Sequence, residues 1–197
     1  MGCLGTPVVR TDAAALWATG RTWWQIPPIS QVELTGKLHK GITGKDVIIT
    51  LCGLYNQDEV LNHVLEFVGE GVTSLSIDER LSIANMTTEW GALAGIFPID
   101  EIVIAWLKNR ANFINNRGLE GVPSDSDGDN GNHPRINAQR IEALKNNPLK
   151  ADEVAFYTKM IQLNLNSVSP HISGPNHVKT ITNIKKAFEK NIKIDKA

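Results

Sequence analysis

Hydrophobic positions along the chain recur with two periods, and the way those periods alternate predicts strands interleaved with helices. In "QVELTGKL", Val32 and Leu34 alternate with Gln31, Glu33 and Thr35, the period of a strand with one buried face. "HVLEFVG" reads as a second strand that ends at the Gly69-Glu70-Gly71 turn. In "KMIQLNLNSV", Ile161, Leu163 and Leu165 alternate with Gln162, Asn164 and Asn166, which predicts a third. Helices are predicted between them. "AAALWATG" is closed by Gly20 at its C-cap. "TGKDVIITLCGLY" opens with Thr43 three residues before Asp46, an approximate capping box, and continues as a buried helix. "DEIVIAWLKNRANFINNRG" is amphipathic between Asp100 and Gly118. Shorter helices are predicted from about Arg135 to Leu144 and from about Thr180 to Lys190, and the final "IKID" reads as the beginning of a strand.

"SIDERLSIANMTTEWGALAG" is predicted to be one helix, with Ser76 or Asp78 as its N-cap and Gly95 near its end. Asn85 and Glu89 then project from the same face one turn apart, with Thr88 beside them. Two readings of that pair stay open. It is either a solvated polar pair on an amphipathic helix, or a carboxylate held in a cleft to orient water, a hydroxyl or a metal. Taken together, alternating strands and helices place the chain in the α/β class with a layered sheet. Three textures divide it: an α/β segment over residues 1–116, a Gly- and Asp-rich loop over 117–134, and a continuing α/β segment over 135–197.

Composition narrows the function classes. The 197 residues are 42% hydrophobic and 21% charged, enough to bury one sizeable core. Formal net charge is −1, from 20 basic and 21 acidic residues spread along the chain, so no global field recruits nucleic acid or an anionic membrane. The apolar run in "DVIITLCGLY" is far shorter than the roughly 20 residues needed to span a bilayer, which predicts a soluble chain. The N-terminal stretch shows neither a secretory signal nor the composition of a transit peptide. Cys3 and Cys52 stand far apart with no CxxC, and both read as small buried hydrophobes.

Most candidate motifs fail on detail. Asp125, Asp127 and Asp129 match the first ligand positions of a calcium loop, but Gly131 comes one place late and Ile136 stands where a bidentate Glu is required. "GKLHKGITGK" lacks the phosphate-loop lysine, because Ile42 occupies its position. Histidines 39, 63, 133, 171 and 177 show no metal-site spacing. Trp17, Trp23 and Trp24, without basic interleaving, read as core or interface packing rather than a base-stacking platform. Asn85 and Glu89 are what remains.

"CLGTPVVRTDAAALWATGRTWWQIPP", "TGKDVIITLCGLYNQDEVLNHVLEFVGEGVTSLSIDERLSIANMTTEWGALAG" and "SPHISGPNHVKT" together resemble the aconitase superfamily, and within it the fungal homoaconitase branch. The resemblance covers nearly the whole chain and implies the layered α/β/α sheet of the family's iron-sulfur domain, here incomplete. It also implies a hydro-lyase that interconverts homocitrate and homoisocitrate through homoaconitate in the aminoadipate route to lysine, in mitochondria. The substrate so implied is a small tricarboxylic acid, and the cofactor a [4Fe–4S] cluster whose fourth iron is a Lewis acid for the substrate hydroxyl. Glu89 matches the family glutamate near the iron-bound water or hydroxyl, and Asn85 the family asparagine beside the cluster.

Departures from the family pattern matter as much. The family's Asp-Ser-His motif is expected just before "GCLGTP", and its cluster cysteines after "NIKIDKA"; neither is here, and Cys3 and Cys52 do not match cluster ligands. The resemblance therefore implies an internal piece of a longer polypeptide, with no complete cluster site and no hydratase activity by itself. Two alternatives are a non-catalytic aconitase-like interaction module and another hydro-lyase of the superfamily, aconitase or isopropylmalate isomerase.

Overall fold

A computed structural model describes residues 4–5, 8–23, 25–118, 133–190 and 193. Cys3, Trp24, the Asp-rich stretch around Asp125 to Asp129, and all of "IKID" except Lys193 lie outside the described residues. The described residues up to Phe97 and from Phe156 onward form one compact unit, and Pro98–Ala155 form a second.

The first unit is built on a five-stranded sheet of β1 (Leu4–Gly5), β2 (Ile29–Thr35), β3 (Val64–Val68), β4 (Ala94–Ile96) and β5 (Lys159–Asn164), in the order β1-β4-β3-β2-β5. The last four strands of that order are parallel, and β1 joins β4 antiparallel. Parallel neighbours need crossovers, and the helices supply them. α1 (Arg10–Thr19) precedes β2, α2 (Gly44–Leu54) links β2 to β3, and α3 (Ile77–Asn85) with α4 (Thr87–Trp90) link β3 to β4. The sheet flanked by helices is the α/β arrangement expected from the sequence periods.

Alternation along the strands becomes burial. Val32 and Leu34 of β2, Leu65 and Phe67 of β3, and Ile161 and Leu163 of β5 pack with Val47, Ile48, Leu51 and Cys52 of α2 and Ile83 of α3 in one core. Phe67 stacks on Phe97 with ring centroids 4.6 Å apart. Gly69, at φ +96, ends β3 where a Cβ would lie 2.4 Å from the Leu34 carbonyl oxygen, so the turn read from the sequence needs glycine for both conformation and space. Arg80 is fully buried, its guanidinium donating to the carbonyl oxygens of Leu75 and Val72, which ties α3 to the single-turn helix Glu70–Ser74.

Helix boundaries follow the caps. The Thr43 amide donates to Asp46 Oδ2 at 2.9 Å at the start of α2, and the Ser76 amide donates to Glu79 Oε2 at 2.7 Å at the start of α3. Gly20, at φ +67, closes α1 as predicted. α1 buries none of its residues, however, and Trp17 and Trp23 are exposed, so these two tryptophans are not core.

Three other expectations are corrected. The stretch from Ser76 to Gly95 is not one helix: α3 stops at Asn85, Met86 at φ −89 and ψ 7 interrupts the ladder, α4 adds one turn, and Ala94–Ile96 is a strand. Tertiary packing wins over helix pattern here. Gly95 sits so close to α3 that a Cβ would lie 3.1 Å from Ala84 Cα, and only small residues allow the chain to turn back and pair with β3. β5 ends at Asn164, and Leu165 opens a short 3-10 turn while remaining buried. The predicted helix from Thr180 begins later, because β6 (His171–Ser173) pairs antiparallel with β7 (Ile181–Asn183) before α7 (Ile184–Glu189).

The second unit, described by itself, contains α5 (Glu101–Arg117) packed on α6 (Ala138–Asn146). Asp100 caps α5 by accepting from the Val103 amide at 3.1 Å, and Asn137 caps α6 by accepting from the Arg140 amide at 2.9 Å.

Candidate active site

Glu89 lies in α4, half-buried, with its Oε2 atom buried and without a hydrogen-bond partner among the described residues. Asn85 is exposed at the last position of α3, before the break at Met86, so the pair does not share one continuous helix face. An acceptor buried without a donor is costly, of order 1–3 kcal/mol and more for a charged group. Such an atom marks a place where a ligand group or water completes the pairing.

α4 is held in place by its neighbours. Trp90 is fully buried, its indole N–H donates to the Tyr55 carbonyl oxygen at 2.7 Å, and its ring meets that of Tyr55 at a centroid separation of 6.1 Å. Buried Thr87 donates its hydroxyl to the Ala84 carbonyl at 2.9 Å. Beyond α4, Gly91 turns at φ +96, and its carbonyl accepts from the Asn62 amide at 2.8 Å. The carboxylate of Glu89 is thus carried on a short turn fixed at both ends.

A second element reaches this place from far along the chain. β7 packs on α2 at Gly53, where a Cβ would collide with the Ile181 side chain. That contact brings the preceding loop, residues 174–180, to the end of α4. Lys179 Nζ forms a 2.9 Å ion pair with Asp58 Oδ1 and lies 4.0 Å from where a Cβ on Gly91 would stand. Asp58 takes φ +58, a conformation uncommon outside glycine, in a turn that presents its carboxylate. Lys179 and Asp58 were not singled out by the sequence. Their separation of about 120 positions leaves no local pattern to read, and only the tertiary contact at Gly53 reveals them.

Cys52, at the end of α2, registers both charges. Its thiol is pushed up to about 12, first by burial and next by the negative charge of Glu89, with Lys179 opposing. Cys52 is the small buried hydrophobe expected. The raised value has a pH consequence: the folded state keeps the thiol proton that the unfolded chain loses near its ordinary value of 9.0. The stabilisation is complete below that value and is lost as pH rises toward 12, at up to about 1.4 kcal/mol per pH unit. Urea midpoints measured between pH 8 and 11 are expected to fall for the parent and to fall less steeply for Cys52→Ala; parallel curves for the two proteins would contradict this.

Among the described residues, the side chains do not fit as ligands of an iron-sulfur cluster: no three His, Cys, Asp or Glu side chains are grouped to hold a metal ion, and the one described cysteine, Cys52, is buried in the apolar core. Among the described residues no helix is long and apolar enough to cross a membrane.

The fold and this site can be set beside known proteins. The family model described as "Aconitase family (aconitate hydratase)" matches residues 1–197. Homoaconitase, mitochondrial, of Candida albicans is 52% identical over 198 residues, which is 100% of this chain and 27% of that protein. The protein of the same name from Debaryomyces hansenii is 52% identical over 197 residues, and that from Neurospora crassa 51% identical over 199. The chain spans about a quarter of the length of these relatives. With a family model matched from end to end and identity above half throughout, the chain belongs to the aconitase family.

Proposed function

We propose that this chain is one wall of the active site of a homoaconitate hydratase, a mitochondrial hydro-lyase that interconverts homocitrate and homoisocitrate through homoaconitate on the route to lysine. The observation that carries this reading is identity above 50% across the whole chain to proteins named homoaconitase. The family's [4Fe–4S] cluster and its cysteine ligands belong, on this reading, to the remainder of the longer polypeptide.

Within that division of labour the chain's own contribution is Glu89. Elimination of water takes one proton from carbon and delivers one to the departing hydroxyl. The Glu89 carboxyl donates the second proton from Oε2 and recovers it from water in the reverse direction. Asn85, at the mouth of the same turn, offers an amide to the substrate or to the cluster's surroundings.

The test is turnover by the full-length polypeptide with homocitrate, citrate and 3-isopropylmalate supplied separately. Conversion of homocitrate with the highest kcat/KM of the three is expected. Preference for citrate or 3-isopropylmalate would move the chain to a sister branch, and no turnover of any of them by a cluster-loaded protein would remove the hydro-lyase reading.

A further inference from the structure

The site holds a mismatch that the proposed acid role of Glu89 does not by itself resolve: a buried acceptor with no donor, beside a cation that belongs to another element. Lys179 is the more enclosed member of its ion pair, with 15% of its side chain exposed against 65% for Asp58. A surface tether would show the opposite, because a lysine normally keeps its ammonium in water. The Lys179 Nζ stands 4.0 Å from where a Cβ on Gly91 would lie, two positions after Glu89. Both charges are close enough to act on the same Cys52 sulfur, from opposite signs. Asp58 occupies one donor direction of the ammonium, and an ammonium has three.

We infer that Lys179, oriented by Asp58, binds a carboxylate of a hydroxy-polycarboxylic acid whose hydroxyl is hydrogen-bonded to the Glu89 carboxyl at Oε2. This rests on the hydro-lyase reading for the role of Glu89 and adds the residue that orients the substrate against it. Hydrogen-bonding capacity is used up in this arrangement. The orphaned Oε2 gains a hydrogen-bond partner, the ammonium gains a second anionic acceptor, and the substrate is held by a hydroxyl and a carboxylate at once. A ligand with carboxylates but no hydroxyl satisfies only Lys179 and leaves Oε2 without a partner. Holding two points of one small molecule also fixes which of its carbons faces Glu89, which converts a charge contact into orientation.

The experiment is calorimetric binding of citrate and of tricarballylate, its analogue without the hydroxyl, to the full-length polypeptide and to variants with unchanged melting temperature. Parent protein is expected to bind citrate about tenfold more tightly than tricarballylate, the discrimination typical of one hydrogen bond to a charged group. Lys179→Met is expected to weaken both ligands by about tenfold, Lys179→Arg to restore most of the loss, and Glu89→Leu to erase the citrate preference while tricarballylate still binds. In turnover, Lys179→Met raises KM more than it lowers kcat. If Lys179→Met leaves both affinities and KM unchanged, the lysine does not hold the substrate and the inference fails. That failure is separable from failure of the hydro-lyase reading, which shows as absence of turnover with the Lys179 dependence of citrate binding intact.

Discussion

Glu89→Gln in the full-length polypeptide is expected to lower kcat by about 10²- to 10⁴-fold, the range for removal of a positioned general acid or base. The amide has the same shape as the carboxyl, so the turn of α4 is preserved. The backbone contact of Glu89, an amide donating to the Met86 carbonyl at 3.2 Å, does not involve the side chain. What changes is the chemistry available at the buried Oε2 position: an amide cannot deliver a proton to a leaving hydroxyl. The loss therefore belongs in kcat and equally in kcat/KM, with KM little altered, the pattern of an interaction made in the transition state. Rates measured on protein with matched melting temperature and matched cluster content decide the point. A decrease smaller than about threefold would mean that Glu89 is a bystander on the wall of the site and that proton delivery is assigned elsewhere.

The second large effect concerns what holds Glu89 still. Trp90→Ala is expected to destabilise the protein by about 3–5 kcal/mol, the range for truncating a fully buried aromatic side chain. The indole is 0% exposed, packs against Tyr55 and donates to its carbonyl at 2.7 Å, so truncation removes volume, ring contact and hydrogen bond together. Trp90→Phe separates these contributions. It keeps most of the apolar surface and removes the donor, leaving the Tyr55 carbonyl without it, for a cost of about 1–3 kcal/mol. Urea midpoints give both values. A midpoint for Trp90→Ala within experimental error of the parent would show that α4 is not anchored by this residue. Because Glu89 precedes Trp90 directly, loosening the anchor also costs catalytic geometry, and Trp90→Phe at a temperature where it is fully folded is the variant in which to see it.

Much of the framework was readable before any coordinates. Val32 and Leu34, and Ile161 and Leu163, repeat every second residue and form the buried faces of β2 and β5. Thr43 with Asp46 marks one helix start, Ser76, one of the two N-caps expected, marks another, and Asp100 and Gly118 bracket α5 where expected. These are local signals. A cap bonds to an amide two or three residues away, and a period follows from the geometry of a single element, so both survive without knowledge of the rest of the molecule. Glu89 was legible as a candidate for a related reason, since a carboxylate among apolar neighbours stands out along the chain. Exposure of Trp17 and Trp23 was not legible, because a sequence shows that an aromatic ring has apolar surface and not whether a neighbour in the same unit covers it.

The sequence by itself determined the α/β alternation, most helix starts, the glycine at the end of β3 and the presence of one conspicuous acid. Only the tertiary structure decided that the stretch around this acid breaks at Met86, that the small residues following it form a strand, and that the Lys179–Asp58 pair lies beside Gly91 at the end of α4. The physical reason is the same in each case. A run of residues with helical spacing keeps its i to i−4 hydrogen bonds unless an equal number is offered elsewhere. Here β3 and β1 offer them to Ala94–Ile96 on either side, and Gly95 lets α3 come close enough for the exchange. The lysine comes to the end of α4 because Gly53 leaves room for Ile181. Such a contact depends on an absent side chain in one element meeting a present one in another, and no local pattern encodes it.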